Sequence, residues 1–280
     1  MTEVVRNAQP TLELVAAGST DVGRKRSVNE DSLVADFPVF LVADGMGGHA
    51  AGDLASAAIA AQFLTLRGRH DLDPVDVVDA VLSANDAVRA LGDGSDRGAG
   101  STVSGFAVVV QGGTPRWMIF NVGDSRVYRL YDAVLEQLTV DHSAVQELIE
   151  AGRLTPEQSV SYSGRNVITR AIGAEDSAAD YWLMPIVNGE RLLACSDGLT
   201  KELDDAGIRA VLIGAATPQH AADELVRRAV EYGGRDNVTA VVVDVIAGGA
   251  HPDDEEPTGS PAIGGWADTQ TVEMPERLDG

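Results

Sequence analysis

The sequence has one cysteine, Cys195, so no disulfide can form within the chain. That excludes a cross-linked secreted scaffold and suits a reducing, cytoplasmic compartment. No stretch approaches the about 18 consecutive apolar residues of a membrane-spanning helix. The first residues, MTEVVRNAQPTLEL, lack the basic-then-apolar order of a secretory leader, and none is expected. Positive charge is scarce: 21 Lys and Arg stand against 43 Asp and Glu, a formal net charge of −22. Such a surface repels phosphate backbones and anionic lipid, so neither nucleic acid nor a membrane is an expected partner. Only Lys25 and Lys201 are lysines. No Gly-rich loop ends in Lys-Ser or Lys-Thr, which excludes a P-loop nucleotide enzyme. Cys195 lacks the Cys-x5-Arg spacing of a cysteine phosphatase, since Thr200 and Lys201 follow it. Asp44-Gly45-Met46 lacks the Asp-x-Asp of an aspartyl-phosphate enzyme.

The chain does have enough apolar residues, 44% of 280, to bury a substantial core. Short β-branched runs predict strands over 37–43, 102–110, 117–122, 127–131, 191–195 and 238–246. Helical spacing predicts helices over 50–66, 74–91, 144–151 and 218–232. Asp73-Pro74 and Thr217-Pro218 read as N-caps with proline at the first helical position. Strands dominate the middle and the helices come in sequential pairs, which favours an α+β layered domain over a parallel βαβ sheet. Residues 151–179 read as a long insertion or flap. The expected organisation is a flexible N-terminus over 1–10, one domain over 11–247 and a disordered acidic tail over 248–280. That tail carries eight acids and one arginine.

A recurring device marks the domain. Apolar strands run out into an aspartate followed by a small residue: Ala43-Asp44-Gly45, Gly123-Asp124-Ser125 and Ser196-Asp197-Gly198. Asp236-Asn237 stands just before a strand, and so does Asn29-Glu30-Asp31. Buried carboxylates need compensating charge. Arginine could supply it, as could cations, and oxygen ligands with little His or Cys suit Mg2+ or Mn2+ rather than Zn2+. Glycine after Asp44 and Asp197 would let the backbone turn sharply. A single Asp-Gly is by itself no more than a turn.

The dispersed motifs resemble those of the bacterial metal-dependent, protein phosphatase 2C-like (PPM) Ser/Thr phosphatases. They are Gly23-Arg24-Lys25-Arg26 through Asp31, Val42-Ala43-Asp44-Gly45-Met46-Gly47-Gly48-His49, Gly100-Ser101-Thr102, Asn121-Val122-Gly123-Asp124-Ser125-Arg126, Asp141-His142-Ser143, Asn166 through Gly173, Ser196-Asp197-Gly198-Leu199 and Gly234-Arg235-Asp236-Asn237. They span roughly residues 12 to 246. The resemblance implies a four-layer α/β/β/α sandwich, a central antiparallel β-sandwich flanked by helix pairs. It implies hydrolysis of phosphoserine and phosphothreonine in proteins by a hydroxide shared between two Mn2+ or Mg2+ ions. Asp44 would bridge the ions, the Gly45 carbonyl would bind the first, and Asp197 and Asp236 the second. Asp124 would hold a third, weaker ion. Arg26 would bind phosphate with its planar fork. Glu30, Asp31 and Asn237 would orient the bound groups from behind.

By the same resemblance the partners are phosphorylated Ser/Thr proteins, including kinases, and the protein acts as a monomer. Thr269 and Thr271 in the tail could be phosphorylated and dock on a phosphothreonine reader. The flap departs from many relatives in having Tyr162-Ser163 before the Arg-Asn-Val-Ile-Thr-Arg run. His142 is expected to partner Asp141. The alternative function is a catalytically weak regulatory member of the fold acting as a binding module, which would be expected to lack the metal aspartates.

Overall fold

Alternating apolar side chains build two antiparallel sheets, and the parity of each strand position decides which core a residue joins. The computed structural model describes residues 12–47, 51–92, 98–159, 162, 164, 167–250 and 270–271. One sheet contains β1 (Glu13–Asp21), β11 (Val238–Ala247), β10 (Arg191–Cys195), β7 (Arg126–Tyr131) and β8 (Val134–Gln137), in that order. The other contains β12 (Gln270–Thr271), β9 (Asp180–Pro185), β6 (Thr114–Val122), β5 (Val103–Gln111), β3 (Val39–Met46) and β2 (Asp31–Asp36). A short β4 (Gly100–Ser101) pairs with the end of β3.

Three apolar layers separate four structural ones. Val39, Leu41 and Ala43 of β3 pack with Ile59 and Phe63 of α1 (Ala51–Leu64) and Val81 of α2 (Pro74–Gly92). Phe63 stacks on Phe120 with ring centroids 5.0 Å apart. The intervening residues, Phe40 and Val42, turn inward to meet Phe106, Trp117, Val241 and Val243 between the sheets. Leu193 and Val242 face outward against Ile208 of α6 (Asp205–Gly214) and Leu225 of α7 (Pro218–Tyr232). The α/β/β/α sandwich implied by the motifs is the one that forms. Each buried Phe or Leu in these layers contributes about 1.5–3 kcal/mol.

Both predicted N-caps are present. Asp73 Oδ1 accepts from the amides of Val75 and Asp76 at 2.8 and 3.2 Å, and Thr217 Oγ1 accepts from His220 N at 3.2 Å. The 151–179 segment carries α4 (Pro156–Ser159) and follows α3 (Ala144–Glu150). It is tied back by bridges between Ser143 and Ile168 and between Ser101 and Ile172. Beyond β11 the chain stays attached through Ala250, whose amide donates to Ile186 O at 2.8 Å. Gln270–Thr271 pair with Trp182 and Leu183 of β9. Thr269 and the rest of the expected tail lie outside the described residues, as do residues 1–11. No helix among the described residues is long and apolar enough to cross a membrane.

Just before β10, Glu190 is fully buried and holds three partners. Trp117 Nε1 donates to it at 2.7 Å, Val187 N at 2.8 Å, and Arg129 Nε at 2.5 Å. Burial pushes its pKa up while Arg129 pulls it down. Replacing Glu190 with Ala leaves the buried indole N–H without its acceptor and the part-buried Arg129 guanidinium without its carboxylate. We expect a loss of about 3–5 kcal/mol in unfolding free energy, read from urea denaturation. Glu190→Gln, which keeps an acceptor, should lose less.

Candidate active site

The inward-facing positions change from apolar to polar at one end of the sandwich, and they do so on strand after strand. On β3 the inward series Phe40, Val42 continues to Asp44; on β2, Ala35 and Leu33 lead to Asp31. On β10, Leu192 and Ala194 lead to Ser196; on β11, Val243 and Val241 lead to Thr239. Register then joins them. Asp31 and Asp44 are directly opposed across the β2–β3 ladder. The antiparallel β10–β11 pair sets Asp197, just past the end of β10, beside Asp236, just before β11. Asp124 lies in the β6–β7 turn, which crosses from one sheet to the other.

Main-chain and side-chain hydrogen bonds fix these positions. Thr102 N and Ser101 Oγ donate to Asp44 O at 2.9 and 3.0 Å, and Asp44 N donates to Thr102 Oγ1 at 3.2 Å. Asp31 Oδ2 accepts from Thr239 Oγ1 at 2.6 Å and from Ser196 Oγ at 2.8 Å. Asn237 binds the 22–30 loop to the start of β11. Its Nδ2 donates to Val22 O and Val28 O, both at 3.0 Å, and its Oδ1 accepts from Glu30 N at 2.9 Å. That loop carries Arg26, whose guanidinium sits 2.8 Å from Asp236 Oδ1 and 3.6 Å from Glu30 Oε2.

The glycines after Asp44 and Asp197 serve a purpose different from the expected sharp turn. Neither has a positive φ. A Cβ on Gly45 would lie 2.0 Å from Gly52 O, and one on Gly198 would lie 1.9 Å from Asn237 O. Both are places where two backbones touch, and any side chain would force them apart.

Crowding perturbs the carboxyls. Burial, followed by the charges of Asp31, Asp197, Asp124 and Asp236, holds the Asp44 pKa well above the usual carboxylate range. Burial also raises Asp31 to about 6 and, helped by Asp197, raises Asp124 to about 7. Asp197 is raised by burial, partly offset by Lys201. Glu30, Asp31, Asp44, Asp124, Asp197 and Asp236 thus share one end of the sandwich with two basic groups, Arg26 and Lys201.

Lys201 carried no expected role, yet its Nζ pairs with Asp197 Oδ2 and lies 3.1 Å from Asp236 Oδ2. Two signals were present in the sequence: its rarity as one of two lysines, and its place four residues after Asp197. Among the described residues no three His, Cys, Asp or Glu side chains are already gathered as a metal cluster. The donor chemistry nonetheless fits a hard divalent cation. Among the described residues, Asp31 Oδ1 and Asp197 Oδ1 are buried without a hydrogen-bond partner, the surrounding donors are oxygens, and negative charge is in excess.

The expected pairing of His142 is not the one that forms. His142 does not partner Asp141, which instead takes Arg126 at 2.6–3.1 Å. Gly123 N donates to His142 Nδ1 at 3.2 Å, and His142 Nε2 faces Asp180 Oδ2 at 3.1 Å. Asp180 also accepts from Arg170 at 3.0 Å. Gly48, His49, Ser163 and Asn166 lie outside the described residues, whereas Tyr162 is described. Cys195 is buried in the core.

Asp31 and Asp124 keep their protons to higher pH in the folded chain than in the unfolded one. The metal-free protein therefore binds more protons when folded, and its stability should fall as pH rises from about 4 toward 7. Thermal unfolding of chelator-treated protein across that range checks this; a melting temperature that climbs through it would contradict the assignment.

No family model matches the chain. The serine/threonine phosphatase stp of Listeria monocytogenes is 34% identical over 246 residues, covering 80% of this chain and 93% of its own length. The serine/threonine protein phosphatase PstP of Mycobacterium tuberculosis is 36% identical over 247 residues, 85% of this chain and 46% of PstP. The chain thus spans about half the length of that relative. Among solved structures, the catalytic domain of PstP in complex with two manganese ions matches with a TM-score of 0.76 at 35% identity. That match covers 85% of this chain and 100% of the other. Sequence and fold agree over the same region, and the chain belongs to the family of bacterial PPM serine/threonine protein phosphatases.

Proposed function

We propose that this chain hydrolyses phosphoserine and phosphothreonine in proteins with the help of Mn2+ or Mg2+, opposing Ser/Thr kinases in the bacterial cytoplasm. The observation that carries the reading is the meeting of Asp31, Asp44, Asp124, Asp197 and Asp236, drawn from both sheets, at one charged end of the sandwich. The relatives named Ser/Thr phosphatases and the manganese-bound PstP domain support it.

In this reading Asp44, the Gly45 carbonyl, Asp197 and Asp236 hold two ions, and Asp124 with Asp197 holds a third, weaker one. The ions, when bound, supply Lewis acidity that lowers the pKa of water and offsets charge on the phosphoryl oxygens. The protein's own groups do the rest. Ser101 and Thr102 clamp the Asp44 backbone and so fix the point from which its carboxylate projects. Ser196 and Thr239 hold Asp31 behind it. Asn237 fastens the loop that presents Arg26, whose half-exposed planar fork stands at the rim, where a phosphate ester would meet it. Asp236 and Glu30 pre-orient that guanidinium. A phosphothreonine at Thr269 or Thr271 would give a reader domain a docking point; mass spectrometry finding no phosphate on either in native cells would remove this partner. The binding-module alternative is not favoured, because Asp44, Asp197 and Asp236, which it should lack, are all present in the chain.

Hydrolysis of p-nitrophenyl phosphate and of a phosphothreonine peptide should require Mn2+ or Mg2+ and stop on chelation. Asp44→Asn and Asp197→Asn should each lower kcat by about 100- to 1000-fold with the fold intact by circular dichroism. Arg26→Ala should mainly raise KM, by about tenfold, the loss of roughly 1.4 kcal/mol of phosphate contact. Turnover that survives chelation would overturn the reading.

A further inference from the structure

We propose that Lys201 is a tethered counter-cation that holds the Asp197–Asp236 pair together in the metal-free protein and must be displaced before a divalent ion can bind there, so that it sets the metal concentration at which the site fills. The inference rests on the metal-dependent reading above and concerns a residue that reading does not use. Lys201 caps the short helix α5 (Asp197–Thr200). Its backbone is fixed at both ends: Lys201 N donates to Asp197 O at 2.8 Å, and Arg235 donates to Lys201 O at 3.1 Å. Only the flexible four-carbon stem is free to swing. Its ammonium bridges two carboxylates that arrive from different elements, one past the end of β10 and the other before β11. The side chain is 30% exposed, so a route to solvent is open when the ammonium leaves.

The charge balance decides what happens next. One ammonium brings a single positive charge to carboxylates that a divalent ion would meet with two. It can be displaced, but the incoming ion must first break both ion pairs that Lys201 makes. Arg26 does not substitute for it, because Arg26 reaches Asp236 from the loop and does not pair with Asp197. Removing the Lys201 charge should therefore have opposite effects on the two states: the metal-free fold loses its counter-charge, while the metal loses its competitor.

The test is isothermal calorimetry of Mn2+ binding to the full chain, with thermal unfolding in chelator. Lys201→Met is the main variant. Lys201→Gln, which keeps a polar tip, serves if the first does not fold. Either variant is expected to bind Mn2+ about tenfold more tightly than the parent protein, a difference of about 1.4 kcal/mol. Its chelated form is expected to melt lower by about 3 °C or more. Equal or weaker Mn2+ binding in the variants overturns the proposal. So does weaker binding of inorganic phosphate to the Mn2+-loaded variants at unchanged Mn2+ affinity, which would make Lys201 a phosphate ligand. If the parent protein itself binds no Mn2+, the metal-dependent reading has failed, an outcome distinct from one in which parent and variant bind Mn2+ alike.

Discussion

Mutual repulsion among carboxylates is the constraint that organises one end of this molecule. Asp31 and Asp44 face each other across a ladder, a placement that costs energy for like charges. Asp197, Asp124 and Asp236 add their fields to Asp44. Such a cluster persists only because the rest of the fold holds it in place. The three apolar layers fix the strands, and short polar side chains such as Thr102, Ser196 and Thr239 grip the ends. The stability of the layers is what tolerates the strain of the site, a division of labour common in enzymes.

Much of this was legible because two periodicities overlap. The alternation that makes Phe40 and Val42 core also predicts that the next inward position belongs to Asp44, and the motifs marked that aspartate independently. The helices with proline-started caps were legible for the same local reason. Elements with weak local signals were not. β1 spells Glu-Leu-Val-Ala-Ala-Gly-Ser-Thr-Asp, small and half-exposed, and exists because β11 pairs along its whole length. Helix α6 contains Gly207 and Gly214, which dilute its pattern, and only the packing of Ile208, Val211 and Leu212 beneath α7 reveals it.

The site shows the same limit. Which aspartates matter could be read from motifs, but what neutralises them could not. Lys201 acts through a contact with Asp236, 35 residues away in the chain, that no local pattern encodes. The expected His142–Asp141 pair failed for a similar reason: Asp141 finds Arg126 and His142 finds Asp180, partners distant in the chain that no local pattern encodes. The glycines of the two Asp-Gly steps were seen as turns, when their use is to let Gly52 and Asn237 approach.

The position of β11 has a bearing on how the fold closes. It is the last in chain order of the long strands among the described residues, yet it sits inside its sheet, between β1 and β10. Asp236 and Asn237 lead into it. A chain in which β11 has not yet paired lacks the strand that joins β1 to β10, and with it one wall of the acidic end. The acidic end is therefore complete only once a strand far along the chain from β1 has been inserted between β1 and β10.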